Sequence, residues 1–229
     1  MSKILGWVMK SFGLFLLAAS SLLANPAAEL AQQYGYSANQ DSDIWEHVPV
    51  LRRLSAECSS VIEIGLRYMV STWGILQGLA DSAAGNRSYL GIDKVRPAEH
   101  TLQLAERLSE ENGVLFRYLK ADDMTIDLAP TEMLFIDSLH TYCHLSYELE
   151  KFSPKVSKYI AMHDTSEPWG EADDTVYYGD FSEYPEWIDR SKRGLWAAVV
   201  DFLGRHPEWQ LLERRTNNHG FTILRRIGE

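Results

Sequence analysis

Cysteine is scarce: two in 229 residues, Cys58 and Cys143. Each stands in apolar company, one just before a predicted strand and one inside a predicted helix, where a lone thiol serves as a small core side chain. Neither a disulfide framework nor a thiolate metal site is expected. Basic residues are outnumbered: 22 Lys and Arg against 32 Asp and Glu leave a formal net charge of -10. A nucleic-acid backbone needs clustered positive charge that this chain does not supply, so a small molecule is the better partner. Glycine is thin where nucleotide enzymes concentrate it. After the apolar run 61–64, Arg67 and Val70 stand where G-x-G-x-x-G would place glycines, and no Walker A lysine motif occurs. Both absences argue against NAD and ATP.

A long hydrophobic span is missing too, because the uncharged run 11–24 is too short to cross a bilayer on its own. It follows Lys3 and Lys10 and precedes Asn25-Pro26-Ala27-Ala28, which is the order of a secretory signal. Leu22 fits the small-x-small cleavage rule poorly, so an uncleaved membrane anchor and a plain amphipathic helix stay open beside it. The expected organisation is a signal peptide or membrane anchor over 1–24, a linker over 25–40 and one folded domain over 41–229. Membrane association or export follows from the first segment, with a cytoplasmic protein as the alternative.

What is present is an alternation of strand and helix. Short apolar runs at 61–64, 89–92, 114–119, 133–136 and 159–162 read as buried parallel strands. Between them lie helical patterns, such as Leu102, Ala105 and Leu108, or Leu145, Leu149 and Phe152. A first helix is expected from the stripe Ile44, Trp45, Val48, Leu51 and Leu54, capped by Asp41, Ser42 or Asp43. Runs 209–212 and 221–224, joined by Asn217-Asn218-His219-Gly220, close the chain as a hairpin. The pattern predicts an α/β fold: a doubly wound, Rossmann-like, seven-stranded and mostly parallel sheet with an antiparallel C-terminal hairpin strand.

The strand ends carry the chemistry. Glu63 with Gly65, Asp93, Asp122 with Asp123, Asp137, and His163 with Asp164 each follow or end a strand, and ligands of such sheets bind outside those ends. A glycine turn after the first strand and a carboxylate ending the second suit a nucleoside, whose ribose hydroxyls Asp93 would hold. Asp137 and Asp164 on neighbouring tips repel unless a cation or a proton lies between them. His140 is a candidate base or ligand. His144, four residues on, lacks the Glu of the zinc-protease motif and is read as structural and solvent-facing. His47, His100 and His206 are expected at the surface. The long segment 166–189 is expected to be a wall or lid over a substrate, with Trp169, Tyr177, Tyr178, Phe181, Tyr184 and Trp187 to stack on a ring.

These residues resemble one branch of the class I S-adenosylmethionine (SAM)-dependent methyltransferases, which includes small-molecule O-methyltransferases and cephalosporin-hydroxylase-like proteins. Glu63-Ile64-Gly65 with Ser71-Thr72 looks like the first motif of that branch, and Ile136-Asp137-Ser138-Leu139-His140-Thr141-Tyr142 with His163-Asp164-Thr165 looks like its later motifs. The resemblance runs from about Asp41 to Arg226. It implies a methyltransferase domain in which Glu63, Gly65, Ser71 and Thr72 frame the methionine end of SAM, Asp93 holds the ribose, and Asp122 or Asp123 meets the adenine. It also implies an acidic pair, Asp137 and Asp164, that binds a divalent metal such as Mg2+ or Mn2+. His163 stands where relatives have a third acid or amide beside the second aspartate.

The leading expectation is therefore methyl transfer to an oxygen of a small hydroxyl-bearing acceptor, with Asp137 and His140 in catalytic roles and Asp137, His163 and Asp164 on a metal. A metal-dependent hydrolase built on Asp137, His140, His163 and Asp164 is one alternative. A non-catalytic cofactor-binding module is another.

Overall fold

The computed structural model describes residues 25–174 and 181–228. The expected signal or anchor over 1–24, and Tyr177 and Tyr178 of the wall segment, lie outside the described residues. Seven strands form one sheet: β1 (Ser60–Ile64), β2 (Arg87–Asp93), β3 (Val114–Lys120), β4 (Thr131–Ile136), β5 (Val156–His163), β6 (Trp209–Arg215) and β7 (Phe221–Arg226). Their order is β3-β2-β1-β4-β5-β7-β6. The first five pair in parallel and β7 runs antiparallel to both β5 and β6, as the alternation and the closing hairpin predict.

Among the described residues, six α-helices cover the two faces. On one side lie α1 (Pro26–Ser37), α2 (Val48–Ser55), α3 (Val70–Asp81) and α4 (Glu99–Glu111), packed with Val61, Met133, Phe135, Ala161 and Phe221. On the other lie α5 (Tyr142–Phe152) and α6 (Leu195–Arg205), packed with Ile62, Ile64, Leu134, Ile136 and Met162. Odd and even strand positions thus feed different layers, the two-residue period of a strand buried on both faces. Glu63 shares its parity with Val61 and so points at α3, not at the strand tips. The α2–α3 contact is close enough that a Cβ on Gly74 or Gly78 would meet the carbonyl oxygen of Val48 or Arg52.

The structure corrects several expectations. Residues 26–37, taken as linker, form α1: Asn25 caps it, its side chain accepting from the amide of Ala27 at 3.1 Å, and Pro26 occupies the first turn. Asn25-Pro26 is a helix start. Leu30 buries itself in the core, and Glu29 joins Arg107 of α4 at 2.6 Å. The helix expected to start at Asp41–Asp43 begins instead with a 3-10 turn, Trp45–His47, and α2 follows with Pro49 in its first turn. His47 is fully buried, not at the surface.

Register sets the site. Ile64 pairs with both Ile92 and Ile136, and Ile136 pairs with Met162, so Gly65, Asp93, Asp137 and His163 emerge side by side along one edge. Strand order reverses between β1 and β4, the switch point at which open α/β sheets bind ligands. Among the described residues no helix is long and apolar enough to cross a membrane.

Candidate active site

A cavity of about 340 Å³ opens over the tips of β1, β2 and β4, lined among others by Gly65, Arg67, Asp93, Asp123, Asp137 and His144. Its size is that of a small-molecule site. The β1–α3 turn that forms one wall is held in left-handed backbone at Gly65 (φ 85°), Arg67 (φ 44°) and Met69 (φ 63°). Gly65 is required there for a reason of chain packing: a Cβ would fall 1.9 Å from the carbonyl oxygen of Asp137, so only glycine lets the tips of β1 and β4 close together.

Asp93 ends β2 and ties this wall down. Its Oδ2 accepts from the amides of Leu66 at 2.8 Å and Arg67 at 3.0 Å, and its Oδ1 accepts from Val95 at 2.7 Å. A carboxylate has about four acceptor positions, so Asp93 both caps two turns and keeps capacity for a ligand hydroxyl. The turn-capping and ribose roles are compatible.

Glu63, Ser71 and Thr72 do not line the cavity. Glu63 is fully buried beneath it and accepts from the hydroxyls of Ser71, Thr72 (2.8 Å) and Tyr89. Burial pushes its carboxyl up to about 7, against the pull of these three donors. Glu63, Ser71 and Thr72, expected at the methionine end of the cofactor, form a buried support under the β1–α3 turn. Asp122 faces outward, accepting from the amide of Met124 at 2.9 Å and pairing with Lys94 at 3.1 Å. Asp123 is the one that lines the cavity. Its Oδ2 lies 2.6 Å from Nε2 of His144, off the line of the N–H bond, so the contact is a bent ion pair. His144, expected to face solvent, is buried, and its Nδ1 lies 2.9 Å from the hydroxyl of Tyr184. Glu148, one turn further along α5, is fully buried and pushed up to about 8 by that burial.

The second constellation adjoins the first through Asp137. Nδ1 of His163 lies 3.5 Å from Asp137 and 3.2 Å from Asp164, while Nε2 of His140 lies 2.9 Å from Asp164 and 3.7 Å from Asp137. Asp137, His163 and Asp164 offer ligand atoms within 4.8 Å of one another, a spacing that can hold a metal ion. Nε2 of His163 donates to the carbonyl of Asn218 at 3.1 Å, which leaves a buried Nδ1 aimed at both carboxylates without a hydrogen bond of its own. That is how an outer carbonyl orients a metal-binding imidazole. Burial opposes the charged ring of His140, but Asp137 and Asp164 outweigh it and hold its pKa up at about 10.

Three neighbours escaped sequence reasoning. Trp169 stacks on His140 with ring centroids 5.8 Å apart, Asp174 sits 3.7 Å from Nδ1 of His140, and His47 packs edge-on against His163 at 5.7 Å. Trp169 had been named only as a ring for the acceptor. Asn218 has a positive φ of 47° in the β6–β7 turn, but nothing in the sequence marked its carbonyl as the partner of His163. Tyr142 is buried and donates to Asp201 at 2.7 Å.

No protein-family model matches the sequence, and no curated protein sequence matches it. Solved structures do match in shape. An O-methyltransferase from Bacillus cereus in complex with SAH superposes with a TM-score of 0.51 at 16% identity, over 88% of this chain and 90% of that one. The O-methyltransferase TomG from Streptomyces achromogenes, involved in tomaymycin synthesis and solved with SAM, gives 0.56 at 16% identity over 91% and 94%. A methyltransferase from Podospora anserina bound to SAH gives 0.51 at 12% identity over 96% and 100%. At such identities the likeness is one of architecture, and the fold of this chain is that of the class I SAM-dependent methyltransferases.

Proposed function

We propose that this protein is a SAM-dependent methyltransferase acting on an oxygen of a small hydroxyl-bearing acceptor, assisted by a divalent cation, Mg2+ or Mn2+, on Asp137, His163 and Asp164. The observation that carries the reading is the double membership of Asp137. It lines the cavity at the switch point and belongs to the cation set, so a nucleoside in the cavity and an acceptor at the acidic edge would meet at one residue. The orphaned Nδ1 of His163 fits the donor set of a cation. The softness of that nitrogen favours Mn2+ over Mg2+. The fold likeness lends the hydrolase alternative no support.

SAM, when bound, supplies a methyl group on a positively charged sulfur. The residues of the chain do the rest by placement, which is where most of the rate in such a transfer originates. Asp93 would hold the ribose and Asp123 the base, and the Gly65 turn would close on the chain between them. Asp137, His163 and Asp164 would orient the acceptor oxygen and lower the pKa of its hydroxyl through the cation. His140 would receive the acceptor's proton only when freed of the contacts with Asp137 and Asp164 that hold its ring charged. Trp169 holds its ring in place. Of the other loop aromatics, Tyr184 is buried, whereas Trp187 is 52% exposed and would be open to an acceptor. The acidic surroundings disfavour an anion, which leaves a neutral or cationic sugar or phenol. Membrane association through residues 1–24 belongs to the same proposal, and cell fractionation tests it.

Calorimetric titration with SAM tests the central point. Asp93→Ala should weaken binding by roughly 2 to 4 kcal/mol, the worth of charge-assisted hydrogen bonds to a ribose, or about 30- to 1,000-fold. Unchanged affinity removes Asp93 from the site, and failure of the unaltered protein to bind SAM refutes the function.

A further inference from the structure

Three segments far apart in the chain meet in a buried polar relay at the floor of the cavity. Asp123 comes from the turn after β3, His144 from the first turns of α5, and Tyr184 from the loop after β5. They are 6%, 2% and 3% exposed. Oδ2 of Asp123 lies 2.6 Å from Nε2 of His144, and Nδ1 of His144 lies 2.9 Å from the hydroxyl of Tyr184. Glu148 stands 3.9 Å from the same Nε2, and its carboxyl accepts from the hydroxyl of Ser138 at 2.9 and 2.8 Å. Asp123, Ser138 and His144 line the cavity; Tyr184 does not. Apolar side chains of similar volume would serve stability at this place as well as a buried ion pair does. A relay that reaches a ligand cavity serves specificity better.

We propose that His144 and Tyr184 are positioning residues that aim the Asp123 carboxylate at the base of the bound nucleoside and so select adenine. The proposal rests on the SAM reading above. Two bare lone pairs 2.6 Å apart would repel, so Nε2 of His144 carries a proton and holds Asp123 through the bent ion pair. The hydroxyl of Tyr184, on the other ring nitrogen, fixes the orientation of the imidazole and, when the ring is neutral, its tautomer. Asp123 is thereby kept as an acceptor of fixed direction. An acceptor suits the exocyclic amine of adenine. It repels the carbonyl oxygen that hypoxanthine carries at the same ring position. Tyr184 thereby joins the segment 181–189 to the recognition of the base through one hydrogen bond.

The test is calorimetric titration of the full chain with two ligands, S-adenosylhomocysteine and S-inosylhomocysteine. The unaltered protein should prefer the adenosyl ligand by roughly 100-fold, within the reach of a site built to hydrogen-bond one group of its ligand. Tyr184→Phe should cut this preference about tenfold, mainly by weakening the adenosyl ligand. His144→Gln should do the same, and it serves as the second variant if the first fails to fold. A loss of packing alone would weaken both ligands together and leave their ratio intact, and that result overturns the proposal. An unaltered protein that binds both ligands equally also overturns it while sparing the SAM reading. One that binds neither overturns both.

Discussion

Glu63→Gln probes the buried support under the cavity. Glu63 is wholly enclosed, and its carboxyl is raised from the usual 4.5 to about 7 because burial opposes the charged form more than Ser71, Tyr89 and Thr72 favour it. At about 1.4 kcal/mol per pH unit, that shift is worth roughly 3 kcal/mol of pH-dependent stability. The folded state holds the proton more tightly than the unfolded state does. The contribution is thus complete below pH 4.5 and is lost as the pH rises to about 7. Glu148, raised to about 8, adds a loss of the same sign; His47, lowered to about 4 chiefly by burial, works the other way between about 4 and 6.5. Both remain in the variant, so the difference between the two proteins isolates Glu63. Urea unfolding at pH 5 and pH 8 should show the unaltered protein losing roughly 2 to 3 kcal/mol more than Glu63→Gln across that interval. Because Glu63 does not line the cavity, the variant should still bind SAM at pH 8. Parallel stability curves for the two proteins would refute the burial argument, and loss of SAM binding in a folded variant would return Glu63 to the site.

Gly65→Ala forces a side chain into left-handed backbone and against the carbonyl of Asp137, and should cost at least about 2 kcal/mol in chemical denaturation; a neutral effect would mean that the β1 and β4 tips are not closed as described. Chelation should abolish methyl transfer yet leave SAM affinity within about threefold, since the proposed nucleoside contacts would come from β1, β2 and the turn after β3; full turnover in chelator sinks the cation assignment. Asp137→Asn should reproduce the chelated state and resist rescue by added Mn2+, and kinetics that respond to Mn2+ as the unaltered protein does would take Asp137 out of the cation set.

The doubly wound architecture was legible in the chain because strands buried on both faces are written as unbroken apolar runs, and an acid that ends such a run has little reason to be there except at a tip. Asp93, Asp137 and Asp164 were found in that way. The missing glycines argued against NAD and ATP by the same local logic. α1 was read as linker because an asparagine, a proline and small residues also compose a loop, and only the burial of Leu30 and the Glu29–Arg107 pair tie the segment to the core. Whether a polar side chain at a strand end faces the cavity or the core depends on strand parity and on which helix packs above it. That is why Glu63 turned inward to Ser71, Thr72 and Tyr89 while Asp93 kept its place on the cavity wall. His144 shows the same limit: helical spacing put it one turn from His140, but its partners Asp123 and Tyr184 lie 21 residues before it and 40 after it. Local sequence determined the strands, the helices and the acids at the tips, since each depends on residues a few positions apart. The pairing of Asp123, His144 and Tyr184, the carbonyl of Asn218 behind His163, and the split between Asp122 and Asp123 were decided by tertiary packing, because hydrogen bonds between distant segments exist only once the sheet has brought those segments together.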